Sequence, residues 1–401
     1  MNNGATETIL AKNDRRIFDA DHELFRGVVR DFVEREIAPY HDAWEAAKCV
    51  PRELWRKAGE AGLLCPSAPE AYGGAGGDFR FGAIVTEELA HAGASGPCFP
   101  LHSEIVAPYL VKYATEAQRA RWLPGMVAGT CIGAIAMTEP GTGSDLGNIQ
   151  TRATRTSDGG WSLTGSKTFI TNGQLCDMVI VAAKTDADAG AKGVSLFLVA
   201  ADQPGFARGR NLDKLGLHAQ DTSELFFDGA AGELLGAEGA GFGYMMNELA
   251  QERLIVAVGS AAGAEAALEW TIAYCAERRA FGKPIIDFQN TRFVLADAAT
   301  EVAVGRTFVD DCIERHAEGR LGIEQAVMAK LWLTEMQFRI TDNCLQLFGG
   351  YGYMEEYPIA RMWTAARVHR IYAGTNEIMR EMIGRQIKAR SESSRPNARR
   401  S

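Results

Sequence analysis

The sequence predicts an α+β fold in three domains: helices over residues 1–130, a central antiparallel β domain over 131–238 and a four-helix bundle over 239–388. A basic, disordered tail over 389–401 completes the division. Three observations carry this. The chain has 401 residues, more than one hydrophobic core ordinarily serves. Near residue 130, helical spacing gives way to short, β-branched, alternating runs. Near Gly239, those runs give way to long stretches free of proline.

In the first third, DADHELFRGVVRDFVEREIAPYHDAWEAA repeats the apolar residues Leu24, Val28, Phe32 and Ile37 at helical spacing. PRELWRKAGEAGLL opens a helix with Pro51 at its first position. EAYGGAGGDF is loop, FRFGAIVTEELAHAG resumes helix, and ATEAQRARWLPGMVAG adds another that ends near Pro124. The middle third holds CIGAIAMTE, IQTRATRT, GWSLTGSKTFITNG, DMVIVAAKT, KGVSLFLVA and SELFFDG, punctuated by Gly, Asp and Asn. Strands so spaced, without helices between them, make an antiparallel barrel or sandwich. In the last third, residues 242–279 read as one long helix with Arg278 and Arg279 in its final turn, closed by Gly282-Lys283-Pro284. Helices over 288–318 and 322–347 and one from Thr375 complete four, whose short connections imply an antiparallel bundle.

Composition narrows the function. The chain is 46% hydrophobic and 23% charged, ordinary for a globular protein. A net charge of −9 argues against general nucleic-acid binding, although residues 388–401 are basic. No uninterrupted apolar run reaches the roughly 18 residues of a membrane span, and the first residues lack a secretory apolar core, so a cytoplasmic location is the default. Eight scattered cysteines without a CxxC pair suggest neither a metal site nor a redox dithiol. GTGSDLG has a dinucleotide-loop look, but strand flanks it on both sides and a Rossmann turn needs a helix there.

Four segments could carry chemistry. Glu252 shares a helical face with Met245, Leu249 and Val256 at the start of LIVAVGSAAGAEAAL, an apolar helix. Burial there raises a carboxyl's pKa and suits a general base; a structural ion pair with an arginine is the alternative. MTEPGTGSD brings glycines and hydroxyls that let backbone amides approach an anion, or forms a plain loop. KTFITNG alternates as a strand and turns at Asn172-Gly173, with Phe169 as core or as a stacking ring. YAGTNEIMR starts a helix capped at Thr375 or Asn376, whose free amides could also hold a phosphate.

MTEPGTGSD, KTFITNG, ERRAFGKP with the FQ after it, QLFGGYGY and YAGTNEIMR occur in that order, and the set resembles the acyl-CoA dehydrogenase family from about Asp21 to Ile387. The resemblance implies N-terminal helices, a central antiparallel β-barrel and a C-terminal four-helix bundle, assembled as a homotetramer with FAD between subunits. It implies that Met137, Thr138, Gly143 and Ser144 line the flavin and substrate. Phe169 would pack on the isoalloxazine and Thr171 bond near N5. Arg278, Phe281 and Gln289 would reach the FAD of another subunit, with Gln346, Gly349 and Gly350 at its adenine end. Thr375 and Glu377 would serve the phosphates and ribityl chain. Arg253, Ala373 and Gly374 would lie at the acyl-CoA.

Many members carry their catalytic Glu where this chain has Ala373. A smaller group, resembling the long-chain and isovaleryl-CoA dehydrogenases, places it on the long helix in an ERL sequence, and here Gln251-Glu252-Arg253-Leu254 stands there. The resemblance therefore implies that Glu252 abstracts the α-proton of an acyl-CoA while the β-hydride goes to flavin N5, giving a trans-2-enoyl-CoA. An electron-transferring flavoprotein would take the electrons. The rivals on the same fold are an acyl-CoA oxidase or flavin monooxygenase and a non-catalytic DNA-binding flavoprotein. Tyr244, Met245 and Phe99 are candidates to close the acyl pocket, and chain length is not legible.

Overall fold

The computed structural model describes residues 15–393. The first helix, α1 (Ala20–Phe32), is capped by Asp19, whose carboxylate accepts from the amides of Asp21 and His22. Its buried face is His22, Arg26, Val29 and Phe32. Of the apolar residues at helical spacing, Leu24 and Val28 are 73% and 43% exposed. The reason is electrostatic: Arg26 turns inward to the buried carboxylates Glu87 and Glu88, at 2.8 and 3.2 Å, and that rotation carries Leu24 outward. A π-turn at Val33–Ile37 then brings Ile37 back to the core.

Helices α2 (His41–Ala47), α3 (Arg52–Glu60) and α4 (Phe79–His91) follow, with Pro51 capping α3 rather than opening it. Helix α5 (Ala107–Tyr113), entered through a π-turn at Leu101–Val106, was not anticipated, because Pro100 and Pro108 interrupt the run. Pro108 sits in the first turn, where a missing N–H costs nothing. Helix α6 (Glu116–Val127) runs through Pro124 instead of stopping there; buried Trp122, Leu123 and Met126 hold its last turn in place.

The seven strands are β1 (Gly133–Ala136), β2 (Arg152–Arg155), β3 (Trp161–Thr171), β4 (Met178–Lys184), β5 (Val194–Ala200), β6 (Phe206–Asn211) and β7 (Thr222–Leu235). Antiparallel pairing links β2, β3, β7, β5 and β4 in that order, and a parallel contact between Arg152 and Lys184 closes the ring. Strand β1 adds to β4 in parallel, and β6, hidden in its Gly/Arg-rich sequence, adds to β7. The barrel is therefore mixed rather than antiparallel. The loop that follows β1 returns the chain through β2 and β3, so β4 enters in the same direction as β1. Every residue of β4 is buried. Val179, Val181 and Ala183 fill the barrel, while Met178, Ile180 and Ala182 pack with Tyr109, Leu110 and Trp122 of the helical domain.

The C-terminal helices are α7 (Gly241–Glu277), α8 (Gln289–Ala317), α9 (Ile323–Leu347), α10 (Pro358–His369) and α11 (Asn376–Ser393). Helix α7 is the axis. It is long and apolar enough to cross a membrane, yet most of that stretch is buried against α4, α8, α9 and α10. Gly263 lets the side chain of Gln337 come within 2.4 Å of where a Cβ would stand. Two expectations need correction. The helix α10 makes five helices rather than four. Arg278 and Arg279 lie beyond α7, which ends at Glu277; Arg279–Ala280 pairs with Lys283–Pro284 in a small hairpin. Of the tail, residues 389–393 continue α11, and the remainder lies outside the described residues.

Candidate active site

Helices α5 and α7 face each other with matching one-turn spacings. The Tyr109 hydroxyl donates to the Glu252 carboxylate at 2.8 Å. One turn away, Tyr113 and Lys112 both donate to Glu248, each at 2.7 Å. Tyr113 stacks on Tyr244 with ring centres 4.0 Å apart. Glu252 is 6% exposed and makes no salt bridge among the described residues, which sets aside the ion-pair alternative. Burial pushes its carboxyl up to about 7, with Glu248 adding to the effect; the Tyr109 hydrogen bond and Arg253 oppose it. Of the proposed pocket-closing residues, Tyr244 lies in this stack, Met245 is wholly buried, and Phe99 packs edge-on against Trp55.

Beside Arg253 the chain makes a strained turn. Ala373 and Gly374 have φ of 51° and 86°, a region an alanine adopts only when its surroundings impose it. Among the described residues, the amides of Ala373, Gly374 and Thr375 form no backbone hydrogen bond. A Cβ on Gly374 would lie 3.8 Å from Arg253 Nη2. Arg253 is 2% exposed, and its Nε and Nη1 are buried without a partner. The turn and Arg253 thus bring unused donors near one another, an arrangement suited to an oxygen that gains negative charge. Thr375 caps α11 by accepting from the Ile378 amide at 3.3 Å, and Glu377 is exposed in its first turn.

A second cluster lies at the barrel edge. Between Lys167 and Ile170 the register of β3 slips, and Phe169 is pushed out at φ 59° and 67% exposure. The buried Lys167 ammonium donates to the Met137 carbonyl and to Glu139, both at 2.9 Å. The Thr168 amide donates to the Thr138 carbonyl. Glu139 also accepts from the amides of Gln150 and Thr151, so it closes the MTEPGTGSD loop from both ends. Gly143 and Ser144 are exposed at the loop's tip, and the Thr171 hydroxyl accepts from Gln220 at 3.0 Å.

A third cluster is remote. Arg278, Gln346, Gly349 and Gly350 line a cleft of about 470 Å³ together with Tyr274 and Tyr351. Phe281, at the hairpin tip, is 96% exposed, and Gln289 is exposed at the start of α8. Along α7 this end lies about 39 Å from Glu252 at 1.5 Å per residue.

The three clusters suit FAD: an exposed ring on a bulge for a flat heterocycle, the Thr375 end of α11 for its polar middle, and an open cleft with Arg278 and Gln346 for the nucleotide end. Comparison with known proteins agrees. The N-terminal, middle and C-terminal domain models of acyl-CoA dehydrogenase match residues 19–130, 134–230 and 239–388. The long-chain specific acyl-CoA dehydrogenase of Rattus norvegicus mitochondria is 50% identical over 93% of this chain and 88% of its own. An acyl-CoA dehydrogenase structure from Geobacillus kaustophilus is 48% identical, with a TM-score of 0.91 over 93% of this chain and 99% of that one. A glutaryl-CoA dehydrogenase from Mycobacterium smegmatis, solved with FADH2, is 30% identical, with a TM-score of 0.87 over 94% of this chain and 97% of that one. The chain belongs to the acyl-CoA dehydrogenase family. It is an FAD-dependent oxidoreductase that dehydrogenates an acyl-CoA thioester, and nothing in these matches favours the oxidase, monooxygenase or DNA-binding readings.

Tyr109, Lys330 and the Lys167–Glu139 pair were not found from the sequence. The spacing of Tyr109 and Tyr113 does match that of Glu248 and Glu252, but only the packing of α5 on α7 reveals it.

Proposed function

We propose that Glu252 is the base of this reaction and that the substrate is a long-chain acyl-CoA. The carrying observation is a buried carboxyl, held near neutrality, next to a turn and an arginine with unused donors. The thioester carbonyl oxygen accepts from the amides at Ala373 and Gly374 and from Arg253. Glu252 takes the α-proton as the C–H electron pair moves toward that oxygen. FAD, when bound, would supply the acceptor for the β-hydride. Met137, Thr138, Ser144, Phe169 and Thr171 would hold its ring end, and Thr375 and Glu377 its middle. The product is a trans-2-enoyl-CoA, and the electrons pass to an electron-transferring flavoprotein.

Long-chain preference rests on the mitochondrial long-chain relatives at half identity. Arg278, Phe281, Gln289, Gln346, Gly349 and Gly350 lie too far along the bundle for one flavin to join them to Glu252 within a single chain. They serve the FAD of another copy, in a homotetramer. Anaerobic titration with acyl-CoAs of graded length, read at the flavin band at about 450 nm, tests the substrate assignment. Bleaching by long chains and not by short ones supports it; bleaching by short or glutaryl thioesters alone overturns it.

A further inference from the structure

Lys330 lies on α9 with no exposed surface. Its ammonium donates to the Gly374 carbonyl at 2.8 Å and to Asn376 Oδ1 at 2.9 Å. No carboxylate lies within salt-bridge distance of it among the described residues. Two acids act on it from a distance, and both are already engaged: Glu335 with Arg370, Arg380 and the Asn376 amide, and Glu377 with Arg380. Asn376 is held from its other side by Thr334, one turn along α9 from Lys330. The strained turn at Ala373 and Gly374 is therefore clamped from below by one lysine, and the nearby guanidinium of Arg253 has no carboxylate bound to it either. A buried lysine without a directly bound carboxylate is costly to charge and is held as a cation best where something supplies the opposite charge.

We propose that Lys330 is a positioning residue for the dehydrogenation: it fixes the amides of the turn and leaves a positive charge behind them for the oxygen of the thioester. This rests on the reading of Glu252 as base. When the α-C–H bond breaks, the proton goes to Glu252 and the electron pair forms the C=C of an enolate, while the carbonyl π pair moves onto oxygen. That oxygen is the missing counter-charge. Burial, with Arg253 adding to it, pulls Lys330 down to about 7; an anion in the turn pulls it back up, so the two charges favour each other.

The test uses holoprotein and a 3-thia-acyl-CoA, whose acidified α-proton can be lost without hydride transfer and whose enolate over oxidised flavin gives a long-wavelength charge-transfer band. Lys330→Met, Lys330→Gln and Glu252→Gln are compared, with flavin content and thermal melting as checks on folding. Lys330→Met is expected to keep flavin and ligand binding, to lose about tenfold of the band, and to lose kcat about tenfold while KM changes far less. Lys330→Gln, which keeps a donor without the charge, is expected to fall between it and the unaltered protein. A full band and unchanged kcat in both lysine variants overturn the proposal, as does loss of flavin or of cooperative melting in both, which marks a purely structural lysine. If instead Glu252→Gln keeps the band while Lys330→Met loses it, the base assignment fails and the lysine stands.

Discussion

At the scale of single residues, Glu248 and Glu252 occupy successive turns of one helix face yet have different company. Glu248 meets an ammonium and a phenol; Glu252 meets a phenol alone and stays in an apolar setting. That contrast gives a pH dependence with a definite sign. The proposed base works when deprotonated, so the acid limb of kcat/KM rises with pH through about 7. The Tyr109 hydrogen bond favours the carboxylate, so Tyr109→Phe moves that limb to higher pH, on the order of one unit. A pH–rate profile of both proteins checks this, and a limb that stays in place in the variant contradicts the role given to Tyr109. The apolar helix made Glu252 a candidate in sequence, and the family resemblance, with Ala373 at the usual position of the base, singled it out over the ion-pair alternative. Tyr109 and Lys330 were not legible, because a tyrosine or lysine in a helix reads the same whether it faces solvent or a catalytic turn.

At the scale of elements, the MTEPGTGSD loop and the β3 bulge form one unit through Lys167. Removing that cation leaves Glu139 buried among acceptors with only amide donors. Lys167→Met is therefore expected to lower stability by about 3 kcal/mol or more and to weaken FAD binding, as read by denaturant melting with and without added flavin. Equal melting and equal flavin affinity would count against the loop as a flavin support. The long helices α7, α8 and α9 were legible to within a residue or two, since length and absence of proline suffice. Helices α5 and α10 were not: each begins at a proline, Pro108 or Pro358, which in sequence looks like a stop and in structure occupies the first turn. The parallel entry of β4 was likewise hidden, because strand alternation carries no direction.

At the scale of the whole molecule, two features bind the parts together. Glu87, wholly buried in α4, accepts from Arg15, Arg26 and Arg306 and so ties the N-terminal segment and α1 to α8. The far end of the bundle presents Phe281 and Tyr353 almost fully to solvent beside the cleft of Arg278 and Gln346, the kind of apolar surface that marks an interface. Phe281→Asp is expected to lower FAD content and assembly size together, measured by light scattering and absorbance on the same sample. A variant that keeps full flavin as a monomer would mean that one chain suffices. The family resemblance implies a shared flavin for these residues, and their distance from Glu252 along α7 supports that reading.

The most direct measurement is rapid anaerobic mixing of Glu252→Gln with a long-chain acyl-CoA, following flavin absorbance. The account predicts a yellow protein that binds the thioester and whose flavin is reduced slower than in the unaltered enzyme by about three orders of magnitude or more. Reduction at a near-normal rate would place the base elsewhere.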